Sequence, residues 1–199
     1  ARERGLQPLA DLILQQVQTK KSLEAIAFPF LREEVPTIEE AWAGARDITA
    51  EAISDHPEVR HIIREKTLAY GTIRSEKIPE AQDPALTYEV YYEFEARIAK
   101  LKPHQILAIN RGEAEKVLRV HVHAVERDWR NTIALYFRIE PRSLLAEQLA
   151  LAMEEAAERL LLPTIERDVR RSLTEQAEQH AIRVFAENLR ALLFQSPLL

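Results

Sequence analysis

The chain has 199 residues, 46% hydrophobic and 30% charged, with four glycines and no cysteine. That length suffices for one domain or two small ones around a real core, while the missing cysteine excludes disulfides, thiolate catalysis and Cys-ligated metals. A formal net charge of −5 denies the surface as a whole the basic footprint of a nucleic-acid binder, and no apolar run approaches the roughly 20 residues of a membrane span.

The sequence opens at Ala1 with no initiator Met and no signal-peptide pattern. It is therefore expected to be a fragment of something longer; the missing cysteine is compatible with a cytoplasmic home, and no membrane contact is expected. Gly5 to Gln18 reads as a first helix, with Pro8 in its opening turn and Leu9, Leu12, Ile13 and Val17 on one side. Lys20 to Pro36 is a connector whose Ala25-Ile26-Ala27-Phe28 and Phe30-Leu31 lie over the core. Thr37 caps the next helix and Glu40, three residues on, completes a capping-box pattern. Ile38, Trp42, Ala45, Ile48, Ala52 and Ile53 form its apolar face. A further helix starts at Asp55 and Pro57, turns Val59, Ile62, Ile63 and Tyr70 inward, and ends at Gly71. This helix pair has the outline of a helix-turn-helix reader, but its second helix carries mixed charge, which favours a generic αα-hairpin.

Thr72 to Ile78 predicts a short strand, and Pro79 to Pro84 an exposed loop. Thr87 to Lys100 reads as a helix crowded with Tyr88, Tyr91, Tyr92 and Phe94, an aromatic cluster that suits a core better than base stacking. Pro103 opens a short helix expected to stop at Arg111-Gly112. Val117 to Val125 alternates, with Leu118, Val120, Val122 and Ala124 on one face and Arg119, His121 and His123 on the other, so it is the clearest strand. Its expected partner is Thr72 to Ile78. After an ambiguous stretch holding Trp129, Tyr136 and Phe137, a helix runs from Leu144 to about Leu161, burying Leu145, Leu149, Ala152, Met153, Ala156 and Leu160. Pro163 is expected to separate it from the next helix.

That next stretch, PTIERDVRRSLTEQAEQHAIRVFAENLRALLFQSP (Pro163 to Pro197), is the organising element. It offers about thirty residues without Gly or Pro between two prolines, and every fourth residue from Ile165 to Leu193 is apolar. Each step of four drifts about 40°, so the stripe winds around the helix and different neighbours cover its two ends. Ile182, Val184 and Leu192 widen the stripe, so the C-terminal half is expected to lie deeper in the core, with His180 buried. A helix of this length spans on the order of 45 Å, which suits a scaffold spine. The expected fold is mainly α, a helical scaffold on a long C-terminal helix, with a small two-stranded β element at about 72–78 and 117–125. The expected regions are 1–142, helical with the β element, and 143–199, a helix pair including the spine at 164–195.

RLLLPTIERDVRRSLTEQAEQHAIRVFAENLRALL (Arg159 to Leu193) resembles the segment just upstream of the ribonuclease-H-like domain in the Tex family, bacterial transcription accessory proteins related to a eukaryotic transcription elongation factor. ARERGLQPLADLIL (Ala1 to Leu14) and PHQILAINRGEAEKVLRV (Pro103 to Val120) agree in order and spacing. One departure is Gln105, where the family usually carries Arg after the His. The resemblance implies a full-length neighbourhood with a ribonuclease-H-like domain, a helix-hairpin-helix and a C-terminal oligonucleotide-binding barrel. It also implies a role in transcription with RNA polymerase, with nucleic acid bound mainly by the barrel.

No residue set points to catalysis or a cofactor. His121 and His123 share a strand face, but two ligands with no carboxylate at a completing spacing do not make a metal site, and a zinc hydrolase reading rests on them alone. Glu166 is spaced to pair with Arg170 on a solvated face, and four isolated glycines cannot build a phosphate loop. The residues best placed to contact nucleic acid or a partner are Arg111, Lys116 and Arg119 around the turn before the second strand, and Arg167, Arg170 and Arg171 on the spine. Two readings compete: a non-catalytic, monomeric scaffold within a Tex-like protein, and a nucleic-acid- or polymerase-binding module in its own right.

Overall fold

The computed structural model describes residues 5–194. Its chain forms two compact units, one from residues 5–65 and 125–165, the other from 66–124 and 166–194. None of the described helices is long and apolar enough to cross a membrane.

The first unit is helical: α1 (Gln7–Gln15), α2 (Leu23–Ala27), α3 (Ile38–Ser54), the start of α4 (Pro57–Tyr70), α6 (Glu126–Tyr136) and α7 (Ala146–Glu155). Helix α3 is its centre and packs against α1 and α7. The Thr37 hydroxyl accepts from Glu40 N–H (3.2 Å) at its start, which satisfies one of the four amides a helix N-terminus leaves open. Trp42, Ala45, Ile48 and Ile53 follow at helical spacing, each no more than 3% exposed, and burying each large member contributes roughly 1.5–3 kcal/mol. Arg46 lies within this unit, donating to Gln148 (2.8 Å) and pairing with Glu39 and Glu155. Helix α1 stops at Gln15 because Gln16 turns left-handed (φ 50°), so Val17 falls outside the helix and is exposed. The ambiguous stretch is α6, with Trp129 and Ile133 buried.

The second unit holds a three-stranded antiparallel sheet in the order β2-β1-β3. The two predicted strands are there, β1 (Thr72–Lys77) and β3 (Leu118–His123), paired from Thr72 with His123 to Lys77 with Leu118. A third strand, β2 (Glu93–Arg97), runs along the far side of β1. It lies where a helix was expected: Glu93, Glu95 and Arg97 alternate with Phe94 and Ala96, a period of two hidden by the tyrosines just before it. Tyr88 caps and Tyr91 ends a short 3₁₀ turn, Glu89–Tyr91, and Tyr92 links it to β2. Helix α5 (Pro103–Ala114) packs on β3.

Two glycines act by closeness rather than by positive φ. Gly71 ends α4 without a left-handed turn; a Cβ there would stand 2.5 Å from Thr67 O and 2.9 Å from His123 O. Gly112 lies inside α5 rather than terminating it, and its Cβ would meet Leu118 Cδ1 at 2.6 Å. The left-handed residue after this helix is Lys116 (φ 58°). Tyr70, expected inside, is exposed.

The predicted break at Pro163 is absent. Residues Ala146–Glu155, a π-helical turn at Ala156–Leu161 and α8 (Leu162–Leu193) form one continuous helix. Proline lacks an N–H, and its ring would strike the carbonyl four residues back in a regular α-helix. The π turn inserts an extra residue ahead of it, with Leu162 N–H donating to Ala157 O, five residues back; this loosened ladder admits Pro163. Pro197, expected to close the helix, and the last residue of the predicted 164–195 span lie outside the described residues.

Candidate interaction surfaces on the long helix and the sheet

Within the second unit the first turns of α8 are fastened to α5 and β3 by polar contacts. Arg170 reaches Glu113 with both terminal nitrogens (2.8 and 2.5 Å) and Asn110 Oδ1 with one of them (3.3 Å). Asn110 in turn donates to the Thr174 hydroxyl (2.8 Å), which donates to Arg170 O. The planar guanidinium suits this two-point grip. Arg170 is therefore committed inside the fold, and its partner is Glu113 rather than the expected Glu166.

Glu166 does something else. Its Oε1 accepts from Val122 N–H (2.8 Å) and stands 3.7 Å from His121 Nδ1. Strand β3 is an edge of the sheet, so the carboxylate occupies a backbone donor that an edge strand otherwise leaves unpaired. His121 and His123 do share a face, with ring centroids 6.4 Å apart. Glu166, 44 residues away in sequence, could not have been placed there from spacing. Among the described residues no three His, Cys, Asp or Glu side chains are grouped to hold a metal ion.

The other predicted contact residues divide similarly. Arg119 faces Glu76 across the β1–β3 pair at 3.6 Å, and Arg171 bonds Asp168 one turn back (2.9 Å). Arg167 is exposed and already has an interaction partner. Arg111 and Lys116 are exposed at the C-terminal end of α5. Of the spine cluster Arg170 is drawn into the fold, while Arg167 and Arg171 stay exposed one turn apart. Gln105, the departure from the Tex pattern, accepts from Lys102 N–H (3.0 Å) and helps close the start of α5.

The aromatic cluster is anchored by one buried member, Tyr88, while Tyr91, Tyr92 and Phe94 are half-buried. Tyr88 is 3% exposed; burial, then its bond to Glu115, push its phenol up. Tyr92 donates to Asp83 Oδ2 (2.8 Å), and Asp83 also accepts from Thr87 and Tyr88 N–H. Removal from water pushes the Asp83 carboxyl up, but the bonds from Tyr88, Tyr92 and Thr87, with Lys77 nearby, outweigh it and hold the group below its ordinary value.

The largest departure from expectation is the far half of α8. Val169, Leu173 and Ala177 are buried, but from Glu178 onward every described residue is exposed, including Phe185 at 68% and Leu193 at 73%. His180 is exposed as well. It lines a groove of about 390 Å³ with His104 and Leu107 of α5 and with Ala181, Val184 and Phe185. The apolar sequence of this half reads as depth in the core; among the described residues of the second unit Pro103, His104 and Leu107 border its first turn, and its own side chains stay exposed as far as Phe194. The wide apolar face and its drift were visible in the sequence, but not the extent of the cover.

A family model described as Tex central region-like matches residues 18–185. YdcI of Bacillus subtilis is 41% identical over the whole chain, which covers 28% of that protein. Protein tex of Bordetella pertussis is 31% identical over 99% of the chain, covering 26% of that relative. Human S1 RNA-binding domain-containing protein 1 is 30% identical over 99% of the chain and 21% of its own length. The chain thus spans between about a fifth and little more than a quarter of these relatives, and through the matched region it belongs to the Tex family.

Proposed function

We propose that the chain is a non-catalytic helical scaffold region of a longer Tex-like transcription accessory protein, one that positions domains lying outside these residues. The observation that carries this reading is the apolar stripe of α8: buried through Ala177, bare from Ala181 to Leu193. An uncovered apolar face of this extent marks a place where something else docks, and the length of the relatives leaves ample chain to do so. The family name of a relative from Neisseria gonorrhoeae, Transcriptional accessory protein Tex, supports a role in transcription, with RNA polymerase as a candidate partner. The S1 RNA-binding domain in the human relative's name supports nucleic-acid binding by another part of the protein. Arg111, Lys116, Arg119, Arg167 and Arg171 supply at most secondary phosphate contacts.

Filter binding of RNA and DNA at two salt concentrations tests the division of labour, because phosphate contacts release counterions and weaken steeply with salt. The full-length protein is expected to bind with a clear salt dependence, and residues 1–199 alone to retain only weak binding. Binding by the chain alone that matches the full-length protein in strength and salt slope would overturn the scaffold reading in favour of a self-sufficient module.

A further inference from the structure

The bare half of α8 has a pattern finer than general apolarity. Ile182, Phe185, Leu189 and Leu192, all exposed, recur at spacings of three, four and three, the a and d positions of two successive heptads. Such a seam accepts side chains from another α-helix lying alongside, whereas a docked strand presents residues with period two. The groove between Leu107 and the Ala181–Phe185 turn flanks the first turn of the seam and shares Phe185 with it.

Resting on the scaffold reading for the source of the partner, we propose that this seam is the seat of a single helix supplied by the same polypeptide from outside residues 1–199. A second copy of this chain is a poor match. Two heptads fall short of the three to four that a sustained coiled coil between separate chains uses. The flanking e and g positions, where interhelical charge pairs choose a partner, hold Ala181, Ala186, Asn188 and Leu193, none of them charged. A seam that is short and lacks charge selection works when tethering raises the partner's effective concentration to the millimolar range.

The test uses the full-length protein with the photo-crosslinking residue benzoylphenylalanine in place of Leu189, adducts being located by mass spectrometry, together with amide hydrogen exchange of both the full-length protein and this chain. The expected result is an intramolecular adduct to a helical segment outside 1–199, with amides of residues 181–193 exchanging at least about tenfold more slowly in the full-length protein. Leu189→Glu in the full-length protein is expected to abolish that slowing while leaving the helix content of the isolated chain unchanged, since Leu189 is exposed there. Adducts between two copies, to nucleic acid, or to a strand or loop overturn the helix assignment but leave the scaffold reading standing. If exchange is not slowed and no adduct forms, both fail. Slowing that survives Leu189→Glu also overturns the proposal.

Discussion

The near and far halves of α8 carry the same apolar row at the same spacing, yet Val169, Leu173 and Ala177 are buried while Phe185, Leu189 and Leu193 stand in water. Their difference lies outside the helix. Helix α5 and strand β3 reach the near half through Glu113, Asn110 and Val122; among the described residues no such hydrogen bond reaches the far half, which α5 only borders at Leu107. Apolar periodicity states which face of a helix needs cover, and tertiary neighbours decide whether it has it.

The sharpest way to break this comparison is to place a carboxylate in each half. Val169→Asp buries an unpaired charge at a site with no exposure and is expected to cost more than about 4 kcal/mol. Phe185→Asp, at a 68% exposed site, is expected to stay within about 0.5 kcal/mol in the isolated chain. Urea unfolding followed by circular dichroism reads both. Equal losses would mean that the far half is packed after all.

The cover over the near half can be strained directly. Gly71→Ala pushes a methyl against two backbone oxygens, Thr67 O at 2.5 Å and His123 O at 2.9 Å; the first yields only if the last turn of α4 shifts, the second only if that turn and β3 part. A loss of about 2–3 kcal/mol is expected. Gly112→Ala presses on the side chains of Leu118 and Tyr88, which can move, and alanine's better helix propensity offsets about 1 kcal/mol. Its net loss is expected to be about 1 kcal/mol. Thermal melts that rank the two in the opposite order would contradict the close approaches at Gly71.

A smaller pair separates the arginines. Arg170→Ala removes a two-point contact whose arginine side chain is 20% exposed and whose Glu113 partner is 39% exposed; after discounting for solvent screening, about 1–2 kcal/mol is expected. Arg171→Ala breaks only a surface pair, its arginine side chain 69% exposed, and is expected to cost less than about 0.5 kcal/mol. If chemical denaturation finds the two equal, Arg170 does not fasten α5 to the spine.

Much of this was legible from residue pattern alone. Thr37 and the apolar face that follows it fixed α3, and the alternation from Leu118 to His123 marked β3, because caps and periods are local signals. Pro163 misled because the residue that accommodates it is an insertion in the hydrogen-bond ladder upstream, which no composition rule reports. Tyr88 to Phe94 misled because aromatic spacing fits a helix and a folded loop equally well. Arg170 found Glu113, 57 residues away, instead of Glu166 one turn back; the choice was made by the packing of α5, a long-range fact. The bare seam was missed for the same reason, since burial cannot be read without the neighbours that create it.

The mildest probe reaches the cover through its loop. Asp83 gathers Thr87 N–H, Tyr88 N–H and the Tyr92 hydroxyl, and Tyr88 packs against the Gly112 position of α5. Because the folded protein holds this carboxyl below its ordinary 3.8, the folded state binds the proton less readily than the unfolded chain does. The stabilisation is then fully present above 3.8 and is lost as pH falls below it, through the lowered folded value. Amides of residues 84–92 are expected to exchange faster as this range is entered, ahead of those in α3. Asp83→Asn, which cannot ionise, is expected to exchange faster already at neutral pH and to show a flatter acid response. An unchanged acid response in the variant would mean that other carboxylates, rather than the Asp83 clamp, hold the loop against α5.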